Sequence, residues 1–391
     1  MMAAHPAKAC YIATKHRLAD ILAAHGGSME LNGLLAETNI ASADHLFRIL
    51  RCCESQGIFS VKQDGDSFVV HNTPDSCTLI RDSPGSLAPM VLHCCYESAL
   101  ALNHLDDVIT SKDKSKDTAW DFFSPNKEFW AWLDQKEQRE ARLNFNTLMV
   151  NITMKELPHI CNGFDWKAFL RRIGDGGATC SVVDIGGGKG HLLRAMLDVA
   201  SFRPVVFDTP HMIEDAREFW KDSGADIEFV TGDFFKSSTI PAGNVYVLKH
   251  ILHDWSDAKS IEILKAIREQ AIKVKNSRVI LIELVLDESK PLGMFRIASE
   301  HRDVPTLSLA LSLSRSLALS LSRSLSHACT HLRSTDPFES WVDIQMLNVV
   351  GGKERSRRQW ENDVLSKAGF KLENVHVTGG TEALVECSVA T

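Results

Sequence analysis

The stretch CSVVDIGGGKG, residues 180–190, decides the fold. Its first half is a short apolar run rich in β-branched residues, the pattern of a strand buried on both faces of a parallel sheet. The run closes on Asp184 and then on glycines, with Gly186, Gly188 and Gly190 at alternate positions. Positions without a side chain let the backbone turn tightly and come close to a ligand at the carboxyl edge of such a sheet, where nucleotides bind. The spacing is GxGxG, without the longer gap usual for dinucleotides.

Downstream the same texture repeats. RPVVFDT (203–209), IEFVTGD (227–233), NVYVLKH (244–250) and SRVILIEL (277–284) are buried-strand runs, each followed by helical or loop sequence. This alternation predicts an α/β fold, a Rossmann-like doubly wound sheet. ENVHVTGGTEALVECSV (373–389) reads as two strands joined by a Gly-Gly turn, an antiparallel edge on that sheet. Asp208 ends the second strand and is placed to accept hydrogen bonds from ribose hydroxyls. Asp233 ends the third and is placed to meet an adenine edge, with Phe234 on its face.

Upstream, HRLADILAAHGG, MELNGLLAET and SADHLFRILRCCESQG read as three short amphipathic helices, and IFSVKQDGDSFVVHN as a hairpin. That order is a mainly helical winged-helix domain, expected over residues 1–115 and ended by the polar run SKDKSKDT (111–118); residues 116–391 then form the sheet domain. Winged helices often bind DNA. Residues 1–110 hold 7 Lys and Arg against 12 Asp and Glu, a net of −5, whereas DNA readers present a basic face. No nucleic acid partner is expected, and a dimerisation role is preferred. The 391 residues carry a formal charge of −7 and ten cysteines without CxxC pairs, read as reduced thiols. Lys8, Lys15 and Arg17 break the start before any apolar run suited to export or spanning forms, so a cytoplasmic protein without membrane contact is expected.

The motifs DIGGGKG, FDTPHM, GDFF, LKHILHDWSD and GGKERS, in this order, closely resemble the small-molecule O-methyltransferases that use S-adenosylmethionine, the family of the caffeic acid and acetylserotonin enzymes. The resemblance covers nearly the whole chain, since that family also carries an N-terminal winged-helix dimerisation domain. It implies S-adenosylmethionine as cofactor, contacted by Gly186, Asp208, Asp233, Phe234 and Lys249, and a homodimer. It further implies a catalytic base at His253, flanked by Glu283 and Glu354, acting on a small hydroxylated, aromatic acceptor. LNFNTLM resembles the segment lining the acceptor cavity and nominates Phe145 and Met149; DIQMLNVV adds Met346 and Asn348. Two other classes stand beside this one. An N-methyltransferase or a non-methyl enzyme on the same cofactor fold is disfavoured by His253 with both acids, and a ligand-sensing winged-helix regulator by the acidic N-terminal half.

The chemistry agrees with the resemblance. A phenol titrates near about 10, so methyl transfer at neutral pH lacks a deprotonated acceptor oxygen, and a histidine is a natural proton acceptor. His250 and His253 also invite a shared metal. His250 ends a strand, however, while His253 lies in a loop before a helix capped by Ser256 or Asp257, and only Asp254 stands nearby as a third ligand. No metal is expected, and His250 reads as packing.

TLSLALSLSRSLALSLSRSLSHACTHLRST (306–335) fits none of these elements. Alternating Leu and Ser lacks the β-branched residues of strands and is what a CT dinucleotide repeat encodes. Residues 294–336 are therefore read as a disordered insertion, a retained non-coding stretch. Sequencing the transcript tests this, and a message without those codons is the expected outcome.

Overall fold

The computed structural model describes residues 4–113, 116–174, 180–287 and 337–390. The insertion expected at 294–336 lies outside the described residues. Two compact units divide the chain, the first reaching Asn151 and the second comprising Ile152–Lys290 and Glu339–Thr391. The division falls inside the helix Arg139–Asn162, beyond the polar run at 111–118, because the aromatic helices that follow the run pack with the N-terminal ones. Among the described residues no helix is long and apolar enough to cross a membrane.

The first unit has the winged-helix order with two refinements. The first predicted helix is preceded by another: Ala4–Lys15 and Leu18–Ala24 are separated at Arg17, whose φ of 57° breaks the helix while its guanidinium reaches Asp20 and Asp82. The start of MELNGLLAET is a strand, β1 (Ser28–Glu30), leading into the helix Leu31–Ala36. β1 pairs with β3 (Ser67–His71), which forms a hairpin with β2 (Ser60–Asp64), with Gly65 at φ 58° in the turn. Leu18, Leu22, Leu34, Leu46, Leu50 and Val70 make its core.

In the second unit a seven-stranded sheet has the order β11-β12-β8-β7-β4-β5-β6. β4 (Ser181–Ile185), β5 (Arg203–Asp208), β6 (Glu228–Thr231), β7 (Val245–Lys249) and β8 (Arg278–Glu283) are parallel and match the five predicted strands. The closing pair is antiparallel, with β12 (Ala383–Val389) set between β8 and the edge strand β11 (Phe370–Val377). Alternation splits each central strand between two cores. Val182, Val245, Val247, Ile280 and Ile282 face the helices Trp166–Ile173 and His191–Val199. Val183, Tyr246, Leu248, Val279 and Leu281 face the helix Asp257–Ala271 and Trp360.

β4 lies between β5 and β7, so the chain reverses its winding there and opens a crevice at the carboxyl ends of β4 and β7. A short parallel ladder, β9 (Val285–Leu286) with β10 (Arg355–Ser356), brings the chain back beside the end of β8. Leu248 is fully buried one residue before the end of β7. Leu248→Ala should lower the unfolding free energy by about 2–5 kcal/mol in chemical denaturation; a loss under about 1 kcal/mol would show a core that refills.

Candidate active site

The chain leaves β7 at Lys249 and turns at His250, whose φ of 51° lies in the left-handed region that non-glycine residues seldom enter. The His250 amide still donates to Ile282 O at 3.1 Å. The next two amides, of Ile251 and Leu252, both donate to Glu283 Oε1, at 3.3 and 3.0 Å. Glu283 is fully buried at the end of β8 and holds the entry to the turn Leu252–Asp254. His253 sits in that turn, buried, with Nδ1 2.8 Å from Glu354 Oε1. A ring that donates Nδ1–H to this carboxylate keeps its lone pair on Nε2. The acids thus divide the work: Glu354 touches the imidazole, whereas the nearest Glu283 oxygen is 3.9 Å from it.

The motif GGKERS is shaped around this turn. A Cβ on Gly352 would lie 1.7 Å from the His253 carbonyl oxygen, so only glycine lets the two backbones pass. Arg355 is fully buried. Its guanidinium donates to Leu252 O at 3.0 Å, Trp255 O at 2.7 Å and Asp257 Oδ1 at 2.9 Å, and lies 4.9 Å from the Trp360 ring. Lys353 Nζ takes the other Asp257 oxygen at 2.7 Å. The Glu354 amide donates to Asp343 Oδ1 at 2.9 Å. Ser256, as expected, caps the helix that follows.

Burial alone would push His253 down, but Asp254, Glu283 and Glu354 outweigh it and raise the imidazole to about 10. Burial in turn raises Glu283 to about 7 and Asp254 to about 6, each held back by His253. His250 goes the other way, well below its ordinary value, through burial and then the neighbouring Lys249 and His253. It was expected as packing. Instead its Nε2 lies 3.2 Å from Glu156 Oε2, and that carboxylate also takes Lys249 Nζ at 2.6 Å. Glu156 and Glu382 join His250 in a buried polar cluster that sequence reasoning missed, because residues 94 and 132 positions away carry no local pattern. Arg355 was missed too, although it stands inside the quoted motif.

At the glycine turn, Gly186, Gly188 and Gly190 all have positive φ, 68°, 57° and 80°. Cβ atoms at Gly187 and Gly190 would strike Asp184 and the Trp220 and Val206 side chains, so bare backbone is required there. Asp208 Oδ2 accepts from the Gly188 amide at 2.8 Å and Oδ1 from the Thr209 amide at 2.6 Å, tying the turn to the end of β5. Burial, then Asp208, raises Asp184 to about 7, and its buried Oδ2 has no hydrogen-bond partner among the described residues. Two carboxylates beside a part-buried turn of bare backbone fit a ligand rich in N–H and O–H donors and positively charged, as S-adenosylmethionine is. Asp233 Oδ1 accepts from the Phe235 amide at 3.0 Å, and Phe234 packs at 6.0 Å from Trp255. Lys249 points its ammonium at Glu156. Phe145 and Met149 belong to the first unit, where Phe145 packs 5.3 Å from His93. Met346 and Asn348 lie on the helix Pro337–Val349, Asn348 fully buried.

The chain is similar to known proteins over nearly its full length. An O-methyltransferase domain family matches residues 118–301, and an O-methyltransferase dimerisation domain family matches 4–82. The chain is 25% identical to isoflavone 4'-O-methyltransferase of Glycyrrhiza echinata, over 94% of this chain and 88% of that one. It is 28% identical to tabersonine 16-O-methyltransferase of Catharanthus roseus, over 71% and 75%. Among solved structures, the mitomycin 7-O-methyltransferase superposes with a TM-score of 0.74 at 25% identity, covering 100% of this chain and 95% of that one. Human N-acetylserotonin methyltransferase shares the fold, with a TM-score of 0.71 at 22% identity over 98% and 95%.

The contact between Gly352 and the His253 carbonyl can be tested alone. Gly352→Ala should lower the unfolding free energy by roughly 1–3 kcal/mol, since a methyl group must force two backbones apart. An unchanged denaturation midpoint would mean that the loops do not touch.

Proposed function

The chain belongs to the small-molecule O-methyltransferases, and on that premise we propose that it methylates the hydroxyl of a small aromatic acceptor with His253 as general base. S-adenosylmethionine, held at the glycine turn, supplies a methyl group already made electrophilic by its sulfonium. The task of the chain's own residues is therefore to free an oxygen lone pair and aim it. Gly186, Asp208, Asp233 and Phe234 would hold the cofactor, with Lys249 at the adjoining strand end. Met346 and Asn348, on the helix Pro337–Val349, are assigned to the acceptor side.

One contact carries this reading: Glu354 Oε1 at 2.8 Å from His253 Nδ1. It assigns Nδ1–H to the carboxylate and leaves Nε2 to take the acceptor's proton. Glu283 keeps the turn in place through two backbone amides, a positioning role. With three carboxylates around it, the ring holds a proton more tightly than an ordinary histidine does. The match of 4–82 to a dimerisation domain supports a homodimer built through the first unit.

A raised pKa means that the imidazole keeps its own proton to higher pH, and only the neutral ring can accept another. Activity should therefore climb as pH rises from 7 and level off near 10. Glu354→Gln removes one of the carboxylates that raise the ring, so its plateau should begin at lower pH. His253→Ala should lose about 100- to 10,000-fold in kcat/KM while still binding S-adenosylmethionine in calorimetry. A methyl-transfer assay on a panel of phenols and N-acylated indoles reads all three, and equal turnover by His253→Ala would remove the base from the mechanism.

A further inference from the structure

The sequence offers His250 and His253 no third metal ligand beyond Asp254, but the fold supplies one. His250 Nδ1 and Glu283 Oε2 are both buried, and neither has a hydrogen-bond partner among the described residues. They face each other at 3.9 Å. His253 Nδ1 stands at the same 3.9 Å from that carboxylate oxygen. The three side chains offer ligand atoms that all lie within 4.8 Å of one another. Buried polar atoms without partners are uncommon and call for a ligand that fills the gap. We propose that His250, His253 and Glu283 bind one borderline-soft divalent cation, zinc by preference, and that its binding withdraws His253 from proton transfer.

Two imidazole nitrogens and one carboxylate oxygen form a set that Zn²⁺ accepts, with a fourth position left for water. Magnesium and calcium need more oxygen ligands and are disfavoured. His250 is already oriented as a metal ligand. Its Nε2 is directed at Glu156, at 3.2 and 3.3 Å from the two oxygens, which places the ring proton there and turns the Nδ1 lone pair inward. The left-handed backbone at His250 maintains that aim. The charges agree as well, because Asp254, Glu283 and Glu354 surround the spot. Glu156, His250 and Glu382 also offer a set of donors. There Lys249 Nζ, 2.6 Å from Glu156, already supplies the positive charge, so the Nδ1 side of His250 is the better site.

The cation takes the lone pair of His253 Nδ1, so the single proton of the neutral ring, which Glu354 accepts in the free site, shifts from Nδ1 to Nε2. Nε2 then has no lone pair for the acceptor's hydroxyl. The inhibition rests on the reading of His253 as base; the metal site does not.

The test uses the full-length chain with ZnCl₂ or CoCl₂. Ten cysteines are competing ligands, so the coordination shell must be read directly by X-ray absorption of the Zn²⁺ form and by the Co²⁺ visible spectrum. The expected result is one ion per chain with nitrogen and oxygen ligands at about 2.0–2.2 Å and no thiolate charge-transfer band. His250→Ala and the polar His250→Gln, each checked for folding by circular dichroism, should lose the site, and Glu156→Gln should weaken it about tenfold. Sulfur in the shell, or unchanged binding in both folded His250 variants, overturns the proposal. Zinc bound at the site without loss of methyl transfer overturns the inhibition, and the role of His253 as base with it.

Discussion

A buried guanidinium holds this site together. Arg355 lies in the chain about a hundred residues after the turn it grips, yet it binds the carbonyls of Leu252 and Trp255, the first and last residues around His253 and Asp254, and the carboxylate of Asp257 just beyond. An arginine can do this because its donors are fixed in one plane and face several acceptors at once, which a lysine cannot reproduce. Its charge is answered by Asp257, and its flat face rests on Trp360, so a cation is tolerated where no water reaches. With the turn pinned from that side, and from the other by Glu283 on two amides, the imidazole has little freedom left. Glu354, the residue just before Arg355, then meets the ring almost as a consequence of where Arg355 must be.

The two histidines show how far surroundings decide chemistry. Their ring centroids are 5.0 Å apart. One is held toward the protonated form by three acids, while the other is held neutral by burial beside a lysine. Groups of one type driven in opposite directions within a single crevice are a common mark of acid–base sites.

Much of the sheet was legible from the sequence because strands buried on both faces write themselves as unbroken apolar runs: SVVDI, PVVF, VYVL and VILI could hardly be anything else. The glycine turn was legible because its positive φ values leave little choice of residue. The helix break at Arg17 was not, since a left-handed arginine is stabilised by its ion pairs with Asp20 and by a second acid 65 positions away. The same holds for His250, which looks like any strand-end residue until Glu156 and Glu382 arrive from elsewhere in the fold. Of the site, a histidine with Glu283 and Glu354 close to it was legible from the motifs that carry them. The division of labour between Glu283 and Glu354 was not, because it depends on where two carboxylates with identical chemistry end up pointing.

The two-residue ladder between Val285–Leu286 and Arg355–Ser356 fastens the chain to itself at the rim of the sheet. In sequence the chain between them is a long excursion, and its described part, the helix Pro337–Val349 and the loop through Gly352 to Glu354, leads back to that ladder. The entropy of closing such an excursion grows only logarithmically, by about 0.6 kcal/mol for each doubling of its length. Residues added between Leu286 and Pro337 would therefore cost the site little, whereas Asp343, Gly352 and Glu354, close to the ladder, could not be trimmed without losing the contacts to His253.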